Sequence, residues 1–281
     1  PDYHLDCSSE SLMGQIGKIL FECEQVMLKE KPNRLLILGD TNSALSAMVA
    51  KRLGIPVYHM EAGNRCYDDR VPEEINRRVI DHCSDSLMPY TEHSRANLIR
   101  EGIPGERILV TGNPILEVLN HYSREIEESQ VLQTLVLEEK KYFLITLHRA
   151  ENVDDGERLE QFLEGFQLLY LEYKLPLVCS LHPRTRSQLE KRNKVLNRVQ
   201  VTGEQKEIGL GTGVIAVNPL GLFDFVHLQR HALCVLTDSG TVQEECCIFK
   251  IPNITLRDVT ERPETVEAGS NIISGCEPAS I

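Results

Sequence analysis

The sequence contains no apolar run long enough to cross a lipid bilayer, so we expect no membrane span. It is also short of basic residues, with 30 Lys and Arg against 42 Asp and Glu. The resulting net charge of −12 argues against a broad nucleic-acid surface, because binding a phosphate backbone requires clustered Lys and Arg. A nucleotide ligand remains compatible with this charge, since one local basic pocket is enough to hold it.

Disulfide and metal-binding patterns are missing as well. The nine cysteines include no C-x-x-C pair, and Cys246 and Cys247 are adjacent. An odd, scattered set of thiols is typical of reduced cysteines in a cytosolic protein rather than of a disulfide framework or a zinc site. No signal peptide is visible, although the sequence begins at Pro1 without Met, so a preceding segment is expected to have been removed. We therefore predict a cytoplasmic protein without a bound metal.

Short runs rich in Val, Ile and Leu alternate with amphipathic helical stretches along the whole chain. The runs predict buried parallel strands at Arg34–Leu38, Val57–Met60, Ser86–Pro89, Ile108–Thr111, Tyr142–Leu147, Leu177–Leu181, Val199–Val201, Val214–Val217, Leu233–Leu236 and Asn253–Leu256. Helices are predicted at Ser11–Lys29, Thr41–Leu53, Glu73–Cys83 and His93–Glu101. Strands that alternate with helices of this length predict parallel sheets joined by right-handed crossovers.

The pattern is interrupted once and then restarts, which predicts an α/β fold of two Rossmann-like, doubly wound domains. We expect an N-terminal domain over residues 1–113 that lacks its first strand, a hinge and connecting helix over 114–141, and a C-terminal domain over 142–281. Because open α/β sheets bind ligands at the carboxyl ends of their strands, an interdomain cleft is the expected ligand site.

Two carboxylates follow predicted strands of the first domain. Asp40 follows the first strand and opens a helix, so it is either a catalytic carboxylate or simply a helix cap. Glu61 follows the second strand. An unpaired buried charge is costly there, so this carboxylate requires either a partner or a functional role. We favour a functional Glu61, and we expect its neighbour His59 to pack or to form hydrogen bonds.

A third concentration of charge begins the next helix. Pro72 is suited to the first helical position, and the acidic residues after it are suited to the first turn. Glu73 with Arg77, and Glu74 with Arg78, are four residues apart and share helix faces. An ordinary salt-bridged helix start explains one such pair, but it does not explain both beside a glutamate at a strand end.

The second domain carries candidate anion contacts. His148 lies in a His-Arg-x-Glu-Asn string directly after a strand. At Ser239 and Gly240 a strand gives way to a helix whose free N–H groups are suited to phosphate, and Glu245 lies one turn further on. Arg262 follows another strand and is suited to a diphosphate.

Three other patterns are less indicative of a functional site. The glycine-rich run 209–213 has the wrong spacing for a dinucleotide loop, and a strand rather than a helix follows it. His227 and His231 are four apart, but they lack the Glu of H-E-x-x-H, so a structural role is expected. His182 is equally compatible with a structural role and with a regulatory ligand site.

These strings, in this order, resemble the non-hydrolysing UDP-N-acetylglucosamine 2-epimerase family from about Pro1 to Ser274. The motifs that carry the resemblance are Gly-Asp-Thr, His-Met-Glu-Ala-Gly, Pro-Glu-Glu-Ile-Asn-Arg, Thr-Gly-Asn, His-Arg-x-Glu-Asn, Asp-Ser-Gly-x-x-Gln-Glu-Glu and Thr-Glu-Arg-Pro-Glu. The resemblance implies a fold like that of the GT-B glycosyltransferases, a UDP-sugar substrate, a homodimer, and no cofactor such as NAD or a metal.

The resemblance also implies a role for each matching residue. The acid–base carboxylates would be Asp40, Glu61 and Glu73, and His148 would lie near the leaving diphosphate. The residues that contact the substrate would be Ser239 and Gly240 at the phosphates, Glu245 at the ribose, Arg262 at the diphosphate, Phe225 at the uracil and Arg77 at the sugar. The implied reaction is anti elimination of UDP to a 2-acetamidoglucal, followed by re-addition of UDP with a proton delivered to the opposite face.

Two departures from the family pattern bear on activity and substrate. The opening strand with its Gly-Thr-Arg-Pro-Glu loop and the closing C-terminal helix are both missing, so reduced activity is expected. The segment 64–71 and Ser239-Gly240-Thr241 differ from the usual versions, which indicates a branch acting on modified sugars in capsule or O-antigen synthesis. The alternatives are a hydrolysing epimerase, a GT-B glycosyltransferase and a non-catalytic UDP-binding fragment.

Overall fold

The computed structural model describes residues 2–192, 197–201, 204–208 and 213–281. It divides into two compact units, unit 1 (Pro1–Asn113) and unit 2 (Pro114–Ile281). None of the helices in the described ranges is long and apolar enough to span a membrane.

Unit 1 alternates helices with short parallel strands. Its strands, hydrogen-bonded in the order β1-β2-β3, are β1 (Leu35–Leu38), β2 (Val57–Met60) and β3 (Ser86–Met88). Its helices are α1 (Leu12–Glu30), α2 (Ser46–Arg52), α3 (Pro72–Cys83) and α4 (Glu92–Arg100), with 3₁₀ turns at Asn42–Leu45 and Gly105–Arg107. The predicted proline start of α3 is present, with Glu73 and Glu74 in the first turn, where acidic side chains interact favourably with the helix dipole.

The core of unit 1 lies on one face of this sheet. Ile37 of β1 packs with residues of α1, α2 and α3, among them Met27, Ala47 and Ile80. Leu36 and Leu38 alternate onto the opposite face and are 64% and 62% exposed. The prediction of a strand buried on both faces is therefore wrong for β1, because the helices that cover Ile37 all lie on one side.

The predicted strand Ile108–Thr111 is shorter than expected. Ile108 forms an isolated parallel bridge with Leu87, and Thr111 donates its N–H to the carbonyl of Pro89 at 3.0 Å. Pro89 has no N–H of its own to donate, which interrupts the ladder at that point.

Unit 2 is built on one larger sheet. Its strands, in the order β11-β10-β9-β4-β5-β8-β7-β6, are β4 (Phe143–Thr146), β5 (Leu177–Ser180), β6 (Asn197–Val201), β7 (Glu204–Ile208), β8 (Val214–Val217), β9 (Cys234–Thr237), β10 (Asn253–Thr255) and β11 (Asn271–Ile273). Its helices are α5 (Ile115–His121), α6 (Ser123–Glu127), α7 (Val131–Leu135), α8 (Ala150–Val153), α9 (Gly156–Tyr173), α10 (Pro183–Lys191), α11 (Leu222–His231), α12 (Gly240–Phe249) and α13 (Pro263–Glu267), with a 3₁₀ turn at Pro278–Ser280.

Both faces of the unit 2 sheet are covered by apolar side chains. Along β4, Phe143 and Ile145 belong to one core cluster with Phe162 of α9, whereas Leu144 belongs to a second cluster with Leu228 of α11. Successive side chains of a strand point to opposite faces, so helices pack on both sides of the sheet. The α/β class predicted from the alternating pattern, with Rossmann-like units, is confirmed.

One edge of this sheet is not parallel. β6 pairs antiparallel with β7, and β7 pairs antiparallel with β8. The prediction of a parallel strand at Val199–Val201 is wrong, because a connection as short as the one between β6 and β7 allows only antiparallel pairing. Residues 209–212 of the glycine-rich run lie outside the described residues, and β8 follows that run as predicted.

Candidate active site

Adjacent strand ends bring two predicted carboxylate positions together in unit 1. Leu38 of β1 pairs in register with Met60 of β2, so Asp40 and Glu61 follow side by side. Gly39 lies between Leu38 and Asp40, and a methyl group on it would lie 3.4 Å from Oε2 of Glu61. The carboxylate of Glu61 therefore packs against the turn that carries Asp40.

Glu61 has an unusual backbone conformation. Its φ of +68° lies in the left-handed region, which costs a non-glycine residue about 1–2 kcal/mol. Its N–H donates to the carbonyl of Met88 at 3.1 Å, and Asn64 donates its side-chain amide to Oε1 at 3.3 Å. These contacts fix the carboxylate at the strand end, and strain of this kind is concentrated at functional sites.

Arg77 of α3 holds the side chain of Asp40. Its Nε donates to Oδ2 of Asp40 at 2.8 Å and its Nη1 donates to Oε2 of Glu74 at 3.0 Å. Thr41 rather than Asp40 occupies the cap position of the following 3₁₀ turn. The alternative in which Asp40 merely caps a helix is therefore wrong.

Glu74, which the sequence pattern gave no role beyond its pair with Arg78, is the centre of this network. It is fully buried and accepts the N–H groups of Cys66 and Tyr67 at 3.0 and 3.1 Å. Burial alone would raise the pKa of its carboxyl, but these N–H groups and Arg77 outweigh it, so the pKa lies below its ordinary value. Glu74 therefore ties the segment 64–71 to α3 as a charged group, and the predicted ion pair with Arg78 is present at 3.2 Å.

Glu73 precedes this network in the first turn of α3. Its side chain is partly buried, whereas that of Glu74 is enclosed. Two consecutive helix positions point about 100° apart, so one carboxylate of the pair faces inward and its neighbour lies closer to the surface.

His148 of unit 2 is fixed by Asp238. The strands β4 and β9 are neighbours, with Thr146 in register with Thr237, so the residues after them meet. Oδ2 of Asp238 accepts the N–H groups of His148 and Arg149 at 2.9 and 2.8 Å, and Oδ1 lies 3.0 Å from Nδ1 of His148.

Asp238 is wholly buried, and its charged form is supported from several directions. Burial would raise the pKa of its carboxyl, but His148 and the two N–H groups outweigh burial and the pKa lies below its ordinary value. A buried carboxylate on Nδ1 keeps the proton there and leaves Nε2 directed away from it. The side chain of His148 is one-third exposed, so Nε2 is able to meet a ligand.

His182 lies beside His148, with ring centroids 5.4 Å apart. It is the N-cap residue of α10, and its Nδ1 accepts the N–H of Arg184 at 3.2 Å. Burial first, and then the neighbouring His148, lower the pKa of His182 below its ordinary value. His182 therefore has a helix-capping role, one of the two interpretations left open by the sequence.

The start of α12 is closely packed. Ser239 occupies the cap position and Gly240 is the first helical residue. A methyl group on Gly240 would lie 2.8 Å from Oε1 of Glu261, so a larger residue there would displace the Glu261 carboxylate. Arg262 is buried and its Nε lies 3.1 Å from Oε2 of Glu244, which brings this guanidinium group to the side of α12.

Glu245 and Phe225 both lie within the packed part of unit 2. Burial raises the pKa of Glu245 to about 7, with Glu244 adding to the shift and a hydrogen bond from Gln229 opposing it. Phe225 of α11 is partly buried against the core cluster that contains Leu228.

The second histidine pair has structural contacts. The rings of His227 and His231 stack with centroids 4.4 Å apart, and Nδ1 of His227 lies 2.7 Å from the carbonyl of Ile126. Among the residues that the structure describes, no group of His, Cys, Asp and Glu is arranged to hold a metal ion.

Three comparisons with known proteins agree. A family model described as UDP-N-acetylglucosamine 2-epimerase matches residues 1–281. The chain is 44% identical over 279 residues to the UDP-N-acetylglucosamine 2-epimerase of Methanocaldococcus jannaschii, covering 98% of this chain and 74% of that protein. It is 36% identical over 276 residues to a UDP-2,3-diacetamido-2,3-dideoxy-D-glucuronate 2-epimerase of Pseudomonas aeruginosa, covering 98% and 73%.

Among solved structures, the Methanocaldococcus jannaschii enzyme in complex with UDP-GlcNAc and UDP matches with a TM-score of 0.89 at 41% identity, over 100% of this chain and 75% of that one. Two Rossmann-like units with a GT-B-like fold define a class of nucleotide-sugar enzymes. The chain belongs to the UDP-N-acetylglucosamine 2-epimerase family. It is accordingly an isomerase of the non-hydrolysing type.

Proposed function

We propose that this chain interconverts a UDP-linked 2-acetamido sugar and its 2-epimer through anti elimination of UDP and re-addition. Asp40, Glu61 and Glu73 of unit 1 take the proton at carbon 2 from one face and return one to the other. The observation that carries the proposal is the pair of adjacent carboxylates that follows β1 and β2, with Asp40 oriented by Arg77 at 2.8 Å.

In this proposal, unit 2 supplies the groups that bind the nucleotide. His148 stabilises or protonates the departing diphosphate, since its Nδ1 is engaged by Asp238 and its Nε2 is directed away. Ser239 and Gly240 at the start of α12, together with Arg262, neutralise charge that develops on the diphosphate, a contribution that preorganised donors make at the transition state. Glu245 accepts the ribose hydroxyls, and Phe225 packs against the uracil.

The product distinguishes this reaction from its nearest alternative. Incubation with UDP-N-acetylglucosamine is expected to give a mixture of two UDP-linked epimers by proton NMR, with no accumulation of free sugar. Free N-acetylmannosamine with an equal amount of UDP would instead establish a hydrolysing epimerase. Turnover that requires an added acceptor would establish a glycosyltransferase, and UDP binding without turnover would establish a binding module.

A modified sugar is a second candidate substrate. The Pseudomonas aeruginosa relative is named as a diacetamido-glucuronate epimerase. In this chain, segment 64–71 is held in place by side-chain hydrogen bonds. Tyr67, at a φ of +56°, donates its hydroxyl to Asn97 at 2.8 Å and accepts from Arg100 at 3.1 Å. Competition between UDP-N-acetylglucosamine and its 6-deoxy and 2,3-diacetamido analogues gives the ratio of kcat/KM values that decides between them.

The cytoplasm is the compartment that we propose for this reaction. All nine cysteines are free thiols, and burial raises the pKa values of five of them, Cys23, Cys83, Cys179, Cys234 and Cys246. Thiols of this kind are typical of a reducing compartment.

The raised pKa of Glu245 predicts a proton linked to nucleotide binding. Its carboxyl is largely protonated below pH 7, and a carboxylate that accepts ribose hydroxyls must be ionised, so UDP binding is expected to release a proton. One pH unit below the pKa about one carboxyl in ten is ionised, so the affinity for UDP is expected to fall about tenfold from pH 8 to pH 6.

The matched control for this effect is Glu245→Gln, which has no ionisable group at this position. The phosphates of UDP titrate equally with both proteins, so a difference in proton release is due to Glu245. Calorimetry in two buffers of different ionisation enthalpy measures the proton released. We expect release near pH 6.5 from the unmodified protein and a loss of that additional release in Glu245→Gln. Equal proton release and equal pH dependence in both proteins would contradict a ribose-binding Glu245.

A homodimer is the assembly that we propose. α1 exposes an apolar stripe formed by Met13, Phe21 and Leu28, which are 68%, 60% and 52% exposed and lie within about 80° of one another around the helix. Symmetric pairing of identical stripes is the commonest way in which such a surface is buried.

The substitution Phe21→Glu tests this assembly, because it places a charge at the centre of the stripe. We expect it to shift the dimer to a monomer in analytical ultracentrifugation. The exposed substitution Val136→Glu in unit 2 is the control and is expected to leave the mass unchanged. A monomeric unmodified protein would contradict the assembly.

A further inference from the structure

His59 lies in β2, two residues before Glu61, and is 1% exposed. Each of its ring nitrogens faces an oxygen atom. Nδ1 lies 2.7 Å from Oδ1 of Asp81, and Nε2 lies 3.0 Å from the backbone carbonyl of Gly39. A carbonyl oxygen only accepts hydrogen bonds, so Nε2 must carry a proton.

The opposite nitrogen faces a carboxylate that is itself held by donors. Oδ2 of Asp81 accepts the N–H of Gly63 at 3.2 Å and lies 2.8 Å from Nη2 of Arg65. An ionised Asp81 only accepts hydrogen bonds, so Nδ1 of His59 must carry a proton as well. The two ring contacts are then both satisfied by the imidazolium form.

The partners of the His59–Asp81 pair lie on the backbone around the proposed catalytic carboxylates. Gly39, whose carbonyl is held by Nε2, immediately precedes Asp40. Gly63, whose N–H is held by Asp81, follows Glu61 by two residues. Both glycines have positive φ angles, +77° and +80°, so each lies in a turn. The N–H of Gly39 donates to the carbonyl of Met60 at 3.2 Å, and its carbonyl is held by His59.

We propose that His59 is a positioning residue, held as an imidazolium by Asp81, which fixes the two turns that carry Asp40 and Glu61. The proposal rests on the function proposed for those two carboxylates. His59 does not contact the substrate; it acts through the Gly39 carbonyl and, through Asp81, on the Gly63 amide. Loss of either link displaces a carboxylate, and a displacement of about 1 Å is able to lower a rate about 100-fold.

Two substitutions separate the links. In His59→Asn the side-chain amide occupies the place of Nδ1, so it is able to reach Asp81 but not Gly39. In His59→Gln the amide reaches the place of Nε2, so it keeps the bond to Gly39. We expect His59→Asn to lower kcat about 30- to 100-fold and His59→Gln about threefold to tenfold, with KM for the UDP-sugar changed less than threefold in both.

The protonation state is tested on the unmodified protein. With ¹⁵N-labelled histidine, the resonances of His59, assigned by through-bond correlation to its own backbone, are expected to show one-bond N–H couplings at both ring nitrogens. A ring with a single protonated nitrogen would overturn the proposal, as would a neutral ring paired with a protonated Asp81. This measurement holds even where a variant does not fold.

The kinetic results distinguish a failure of the positioning role of His59 from a failure of the function proposed for Asp40 and Glu61. Unchanged activity in Asp40→Asn and Glu61→Gln would contradict the proposed function. Loss of activity in those two variants, with kcat of the unmodified protein retained in His59→Asn, would overturn the positioning role alone. Amide hydrogen exchange at Gly39, whose carbonyl loses its partner, is expected to be at least tenfold faster in His59→Asn, with exchange at Gly63 changed less. Unchanged exchange at Gly39 would also overturn that role.

Discussion

Replacing Asp238 by Asn is expected to lower kcat by about 10²–10⁴-fold, because it reverses the hydrogen bond that orients His148. The two backbone N–H groups at Oδ2 require an acceptor, so the amide oxygen of Asn takes that place. Its NH₂ group then faces Nδ1 of His148 and donates to it. The imidazole is forced to carry its proton on Nε2, and its positive form loses the carboxylate that stabilises it.

The tautomer of His148 gives a second readout for this variant. ¹⁵N NMR is expected to show a proton on Nδ1 in the unmodified protein and on Nε2 in Asp238→Asn. The control is Asp155→Asn, the same chemical change at the cap of α9, where the side chain accepts N–H groups of Glu157 and Arg158 and Asn caps equally well. Unreduced kcat in Asp238→Asn, with the tautomer reversed, would show that His148 does not take part in the reaction.

Removal of the charge of Glu61 is expected to have a comparable effect. Glu61→Gln keeps the shape of the side chain and the acceptor for the amide of Asn64, but it removes the proton-transfer group. A positioned general base contributes about 10²–10⁴-fold, so we expect kcat to fall by this factor while binding of UDP by unit 2 changes less than twofold.

The two parameters are measured separately. Steady-state kinetics gives kcat, and calorimetric titration with UDP gives the dissociation constant. Glu92→Gln, an exposed glutamate in the first turn of α4, is the matched control and is expected to retain full activity. An equal loss of UDP binding in Glu61→Gln would contradict the division of roles between the two units.

The sequence predicts those parts of the site that follow from local pattern. Short apolar runs bounded by turn residues locate β1 and β2, and the carboxyl ends of neighbouring parallel strands must lie together. The proximity of Asp40 and Glu61 therefore follows from the amino-acid sequence. Pro72 and the acidic residues after it mark the start of α3 for a similar reason, since helix termini have local signatures.

Contacts that depend on sheet order are not predictable in this way. The pairing of His148 with Asp238 requires β4 and β9 to be neighbours, and 90 residues separate the two side chains. The inward orientation of Glu74 depends on which face of α3 packs against segment 64–71. The exposure of Leu36 and Leu38 depends on which face of the sheet the helices cover, which apolar composition alone does not decide.

Exchange of the proton at carbon 2 with solvent is the decisive measurement for proton transfer by the carboxylates of unit 1. The unmodified enzyme is incubated with UDP-N-acetylglucosamine in deuterated water, and the product is followed by proton NMR and mass spectrometry. Proton transfer by the three carboxylates predicts one deuterium at carbon 2 of the UDP-linked 2-epimer and none at the other ring carbons. A UDP-linked 2-epimer that retains the original proton at carbon 2 would contradict proton transfer by Asp40, Glu61 and Glu73.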